Sequence, residues 1–309
     1  MAVQFLMRVN APNVKAQRAL RGMAGGAQSQ LIQCDDGKHY VCKFMANPQG
    51  RRILINEVVS WVFLRSLGIQ TPDIAFVEIT DGFLRSNPNV YCSVGTRRID
   101  VAPGTAFGSQ YPGNPTSDSV WDFLPDALLP EVVNREHFLA ALVADKWLYN
   151  SDGRQAIFFR AHIVDNQPGQ AATGWLALMI DNGHAFEHIT WRLGSSPEQG
   201  LYSRRAVYGP SPDVRDFERW FDALAELRYN LIDAIVDSLP LEWVQDDRNE
   251  LLKLLHRLYK RRDHIPQMVL QSIEWIKEKR RAGGVQRQPI HRITNDELSL
   301  QDGRELIQV

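Results

Sequence analysis

The chain has few cysteines, almost no net charge and no long apolar run, and each shortage removes a class of protein. Its 309 residues include three cysteines, Cys34, Cys42 and Cys92. An odd number cannot close a disulfide framework, and without a CxxC pair no structural zinc site is expected. The 35 basic and 36 acidic residues leave a formal charge of -1, so no net field recruits nucleic acid. The apolar run Ile53–Leu67 is interrupted by Asn56, Glu57 and Arg65, and no segment reaches the roughly 18 apolar residues that a membrane span needs. The first residues lack the basic-then-apolar pattern of a secretion signal. GxxxxGK[ST] is absent, which argues against a Walker-type loop. What is present is eight tryptophans and 44% apolar residues, enough for ordered packing. The expectation is a soluble, cytoplasmic protein long enough for two lobes.

Residues 1–100 read as strands around one helix. Gln30–Cys34 and His39–Met45 are strand-like and joined by Asp35-Asp36-Gly37, a hairpin signal. Ile53–Leu67 reads as a helix closed by Gly68, and Ile74–Ile79 as a strand. The segment 103–119, rich in Pro, Gly, Ser and Asn, predicts a connector or an ordered flap. Beyond Val120 the pattern is mainly helical. A helix is expected over Arg135–Asn150 with Asn134 as N-cap, and further helices near 213–237, 247–260 and 264–281. The strand-like runs Ala156–Val164 and Gly174–Ile180 bracket a polar turn at Asp165–Gln170, and a polar tail starts at Ala282. The fold class is therefore α+β. It has a small β-rich N-lobe over 1–100, a larger, mainly helical C-lobe over 101–282, and a tail over 283–309. The cleft between two such lobes is the default site.

Several polar residues stand where apolar ones would be expected. Lys43 lies in Tyr40-Val41-Cys42-Lys43-Phe44-Met45. A strand lysine can pack its stem and lift its head to water, but a buried ammonium needs counter-charges, and ATP phosphates plus a carboxylate would supply them. Glu57 shares a helix face with Trp61 and Leu64, which points it inward toward Lys43; Arg51 and Arg52 are its alternative partners. In the segment Arg21–Ser29, the amides around Gly25, Gly26, Gln28 and Ser29 can cradle phosphate oxygens or form a plain loop. Asp152, in Asn150-Ser151-Asp152-Gly153-Arg154-Gln155, either caps a helix end or orients and deprotonates an acceptor hydroxyl. Arg154 either neutralises phosphate charge or holds the loop aspartate. Asp181 follows an apolar strand and precedes Asn182-Gly183, as a turn residue or as a magnesium ligand. The runs Lys260-Arg261-Arg262 and Lys277-Glu278-Lys279-Arg280-Arg281 read as solvated helix faces. A lysine, a glutamate and two loop aspartates in that chain order form the polar skeleton of a phosphoryl-transfer site. The reading is an ATP-dependent kinase.

Further motifs accompany that skeleton in order. They are Gly25-Gly26-Ala27-Gln28-Ser29, then Lys43-Phe44 with Asn47-Pro48-Gln49-Gly50-Arg51-Arg52, then Asn56-Glu57. Phe107-Gly108-Ser109, Trp121-Asp122-Phe123-Leu124-Pro125, the Asn150–Gln155 loop with Ala156-Ile157-Phe158, and Ile180-Asp181-Asn182-Gly183 follow. Together, over roughly residues 20–240, they resemble the bacterial HipA-like kinase domain. Ile180-Asp181-Asn182-Gly183-His184 is more distantly similar to the metal-binding signature of phosphoinositide kinases. The resemblance implies a two-lobed, protein-kinase-like fold with ATP and magnesium as cofactors. It makes Lys43 the phosphate-contacting lysine, Asp152 the catalytic aspartate and Asp181 the metal ligand. One position departs: the asparagine that such kinases carry five residues after the catalytic aspartate, as second metal ligand, is Ile157 here. The nearest amide is Gln155, the expected substitute ligand. The alternative is a pseudokinase that binds nucleotide or a partner. The expected acceptor is a protein Ser/Thr hydroxyl, and the resemblance leaves both its identity and the oligomeric state open.

Overall fold

Alternation of inward apolar and outward polar side chains builds the first strands of the computed structural model, which describes residues 11–164, 171–281 and 292–293. β1 (Asn13–Gly22) buries Val14 and Ala16 and exposes Asn13 and Lys15, the period-two pattern of a half-buried strand. β2 (Gln30–Cys34) and β3 (His39–Lys43) form the hairpin expected at Asp35-Asp36-Gly37, with Gly37 at φ +79°. α1 (Arg52–Ser66) and β4 (Ile74–Ile79) follow where the sequence places them. Gly68, just past the end of α1, adopts φ +74°, which costs a glycine nothing and ends the helix. Next come α2 (Asp81–Ser86), the hairpin of β5 (Tyr91–Val94) and β6 (Arg97–Asp100), and β7 (Gly104–Gln110).

The strand order β1-β2-β3-β7-β4 closes a barrel. Residues 103–119, expected to connect or cover, are thus corrected: their first part is a barrel strand, paired with β3 on one side and β4 on the other. The reason lies at Gly108. A Cβ there would fall 2.7 Å from Val77 Cγ2 and 3.2 Å from Tyr40 Cβ, so this glycine marks a close approach within the sheet rather than a break. The barrel therefore runs past residue 100, where the first lobe was expected to end.

The second part holds β8 (Val120–Trp121), α3 (His137–Leu148), β9 (Gln155–Val164) and β10 (Ala171–Ile180). β9 and β10 pair antiparallel so that Gln155 stands opposite Ile180. Asn134 does not cap α3. Its amide instead accepts from the Ala177 N–H at 3.0 Å and donates to the Ala177 carbonyl at 2.7 Å and to Gln70 at 2.7 Å, so it ties β10 to the lobe above. The expected helix over 213–237 is divided into a 3-10 turn at Val214–Phe217, α4 (Glu218–Ala225) and α5 (Leu231–Ser238). Arg262 donates to the carbonyls of Leu224, Ala225 and Leu227, which satisfies the last turn of α4 from outside and ends it. α6 (Leu241–Val244), α7 (Arg248–Arg261) and α8 (Ile265–Arg281) complete the helices. β11 (Arg292–Ile293) pairs with β8. The turn expected at 165–170 and the rest of the tail lie outside the described residues. One apolar cluster joins α1 to α3, α5, α7 and α8, with Ile53, Trp147, Trp243 and Leu254 buried in it. That shared core fixes α1, and with it Glu57, against the C-lobe.

Candidate active site

The site grows from three charges that local sequence alone would not bring together. Lys43, at the end of β3, has a side chain only 9% exposed, and its Nζ donates to Glu57 Oε1 at 2.5 Å and to Asp181 Oδ1 at 2.8 Å. Burial alone would lower the Lys43 ammonium, but Asp181 and Glu57 outweigh it and raise it. Burial would likewise raise the Asp181 carboxyl; the Lys43 charge beside it, aided by His184, instead lowers it to about 2. Lys43 and Asp181 each hold the other in its charged form. Arg51 and Arg52 do not compete for Glu57, because they pair with Asp246 and Asp247. The second Glu57 oxygen accepts from the Asn182 N–H at 3.0 Å. A double-mutant cycle of Lys43→Met and Glu57→Gln should show coupling of about 0.5–3 kcal/mol in denaturant unfolding. Strict additivity would mean that the pair contributes nothing as a unit.

Asp181 takes φ +56°, a left-handed conformation that costs a non-glycine residue about 1–3 kcal/mol and clusters at functional sites. The turn that carries it is clamped from α1. Asn56 Nδ2 donates to the carbonyls of Gly183, Ala185 and His188, and Asn56 Oδ1 accepts from Trp191 Nε1. Across the β9–β10 rung, Gln155 Nε2 donates to Asp181 Oδ2 at 3.2 Å. Gln155 and Asp181 are thus neighbours, as a shared metal site requires. Ile157, two residues on and on the same face, is buried in a small apolar cluster with Leu31, Tyr111 and Val120. That cluster explains the departure from asparagine: the position is packed as core.

Asp152 is exposed in the loop after α3. Its Oδ1 accepts from the Gly153 N–H at 2.8 Å, and its other oxygen has no partner among the described residues. Arg154 behaves differently, and its expected catalytic role is corrected. Its side chain is 1% exposed and forms a two-pronged pair with Asp145, whose side chain is 0% exposed. It also donates to the Ile180 carbonyl at 3.0 Å and to Asn182 Oδ1 at 2.9 Å. Neither loop aspartate is among these partners; the bonds tie the end of α3 to the Ile180–Asn182 turn, and the charge is spent on Asp145. Gln28, expected to help cradle phosphate, does not line the cleft, and its own N–H donates to the Gly25 carbonyl at 3.1 Å. It is anchored to β5, with Nε2 donating to the Ser93 carbonyl and Oε1 accepting from the Ser93 N–H, both at 2.7 Å. Gly26 backs onto Gln49, whose Nε2 would lie 2.7 Å from a Cβ there. Gly25 and Ser29 do face the cleft.

A cleft of about 1210 Å³ runs between the lobes, and Val41, Lys43, Glu57, Asp152, Gln155 and Asp181 all line it. Among the described residues, no group of three or more His, Cys, Asp or Glu side chains is placed to hold a metal ion alone. A donor set of one carboxylate and one amide fits magnesium, which keeps waters and takes further oxygens from substrate phosphates. Among the described residues, no helix is long and apolar enough to cross a membrane. The sequence missed Asp145, Asn56 and Asn182 as site-builders. Their signal was available, since Asp145 and Asn56 are polar groups inside apolar helices and each needed a buried partner.

Comparison with known proteins identifies the family of the chain. The sequence model described as HipA-like kinase matches residues 17–268. No match is found among curated proteins. Among solved structures, the Golgi casein kinase with Mn/ADP bound is 13% identical, with 89% of this chain and 76% of that chain covered and a TM-score of 0.42. A proinflammatory kinase of Helicobacter pylori, CtkA, is 13% identical, with coverages of 85% and 99% and a TM-score of 0.47.

Proposed function

This chain belongs to the HipA-like kinase family of phosphotransferases, and from that premise we propose that it transfers the γ-phosphoryl group of ATP, with magnesium, to a protein Ser/Thr hydroxyl. The observation that carries the reading is Lys43 held between Glu57 and Asp181 on the wall of a cleft that Asp152 also faces. Lys43 meets the phosphates, and Glu57 keeps its ammonium in place from behind. Asp181 presents oxygen to the metal, and Gln155 beside it supplies the amide that Ile157 cannot. Bound Mg-ATP contributes the phosphoryl group and the charge that offsets its negative oxygens. Asp152 orients the acceptor hydroxyl and takes its proton through the carboxylate oxygen that has no partner among the described residues. Gly25 and Ser29 cover the phosphates from the N-lobe, in keeping with their position in the cleft. The three cysteines are buried and free, which supports work in a reducing cytoplasm.

Asp181→Ala tests the metal role. Calorimetric titration should give a magnesium-dependent loss of ATP affinity of about tenfold or more, because this carboxylate would hold the ion that bound ATP brings with it. Equal Mg-ATP affinity in variant and wild type would refute the ligand assignment. Transfer of label from ATP to a generic protein substrate tests the activity itself. Wild-type protein that binds Mg-ATP but transfers nothing would be a nucleotide-binding module, and Ile157 would be the reason.

A further inference from the structure

One wall of the cleft takes no part in the chemistry assigned so far. Segment 198–205 is fixed against the Asp152 loop, where the Gly200 N–H donates to the Asp152 carbonyl at 2.9 Å. Gly200 sits at φ +74°, and a Cβ on it would fall 2.4 Å from Asp145 Cβ, so only glycine lets the segment come this close. Further along, Arg205 lines the cleft, and α8 adds Trp275 and Lys279 to the same wall. The Arg205 guanidinium lies 5.2 Å from the centre of the Trp275 ring, and the Lys279 ammonium lies 5.4 Å from it. Arg280 braces the group by donating to the Arg205 carbonyl at 2.6 Å, and to those of Gly209 and Pro210.

These cations differ from their neighbours. Lys277 pairs with Glu274 and Arg204 pairs with Asp126. Among the described residues, Arg205, Lys279 and Arg280 have no carboxylate at ion-pair distance. Glu198, on the same wall, lies beyond that distance but close enough for its charge to act on Arg205, whose guanidinium also donates to the Tyr202 carbonyl. Positive charge gathered around an aromatic face at the mouth of a cleft, without its own counter-ion, attracts an anion from outside.

We propose that this wall binds the acceptor, and that the acceptor is an acidic protein segment. Carboxylates flanking the target Ser or Thr would sit on Arg205 and Lys279, with the segment lying against Trp275. The inference rests on the kinase reading, because Asp152 is what makes this side of the cleft the acceptor side. A nucleic acid fits less well. The cations surround a single ring rather than forming the stripe that tracks a phosphodiester backbone, and the chain carries a formal charge of -1.

Fluorescence anisotropy tests the inference without needing turnover. The probes are a labelled dodecapeptide with a central Ser flanked by Glu, its twin with Lys for Glu, and a single-stranded oligothymidylate. The Glu peptide should bind about tenfold tighter than its twin, and Lys279→Glu should weaken it by about tenfold, as like-charge contact does. Lys279→Gln should give a smaller loss, and added salt should erase the difference. Lys279 is exposed on the last turns of α8, so its variants should fold, and calorimetry should show Mg-ATP affinity unchanged. Equal binding of the two peptides, or indifference to Lys279→Glu, would overturn the proposal. Tighter binding of the oligothymidylate than of the Glu peptide would also overturn it and assign the wall to nucleic acid. Preference for the Glu peptide without phosphoryl transfer would count against the kinase reading alone. Transfer without that preference would count against this proposal alone.

Discussion

Asp152→Asn should lower phosphoryl transfer by about 10²–10⁴-fold, the usual contribution of a positioned acid–base group, while Mg-ATP affinity stays within about threefold of wild type. The substitution is nearly isosteric. The amide oxygen can still accept the Gly153 N–H bond that now ends on Oδ1, and the Gly200 N–H still reaches the residue-152 carbonyl. The loop should therefore keep its shape. What disappears is a carboxylate able to accept a proton, and that matters only as the acceptor hydroxyl attacks. Steady-state kinetics with saturating Mg-ATP, together with calorimetry, separate the two effects. Retained turnover would remove Asp152 from the chemistry. A parallel collapse in ATP affinity would make it a ground-state contact instead.

The parts of the fold that the sequence displays are those decided by near neighbours. The Asp35–Gly37 hairpin, the end of α1 at Gly68 and the strand Ile74–Ile79 are local turn, cap and side-chain preferences, and they stand as expected. Lys43 and Glu57 were legible for a related reason: each is a charge in an apolar run, and burial without a partner is too costly to leave unexplained. What stayed hidden depends on long-range contacts. Lys43 and Asp181 are 138 residues apart, so their contact has no local signature. Gly108 looks like a breaker until Val77 and Tyr40 are known to press against it. Gln28 looks like a phosphate-loop residue until β5 arrives to take its amide. The helix over 213–237 breaks because Arg262, far along the chain, caps its middle. In each case the residue type was compatible with two environments, and tertiary packing chose between them.

Arg154 shows how that choice changes a functional assignment and leads to the second large effect. Because its side chain is buried against Asp145, Arg154→Met should cost about 3–5 kcal/mol of stability, the typical penalty for leaving one member of a buried pair uncompensated. The loss should appear as a lower denaturant midpoint in urea, with little change in slope. The same substitution frees the end of β10 and Asn182, which Arg154 holds through the Ile180 carbonyl and Asn182 Oδ1. Turnover should therefore fall along with stability. A phosphate-binding arginine would behave differently, since its loss would raise the KM for ATP and leave the unfolding midpoint in place. The double variant Asp145→Leu, Arg154→Met should recover part of the stability, because exchanging a buried ion pair for apolar groups of similar volume is often neutral. Recovery should stay incomplete, since Asp145 Oδ1 also accepts from Asn150 Nδ2 at 3.1 Å and that amide would lose its partner. An Arg154→Met protein with an unaltered midpoint and a raised KM would overturn the structural role and return this arginine to the nucleotide.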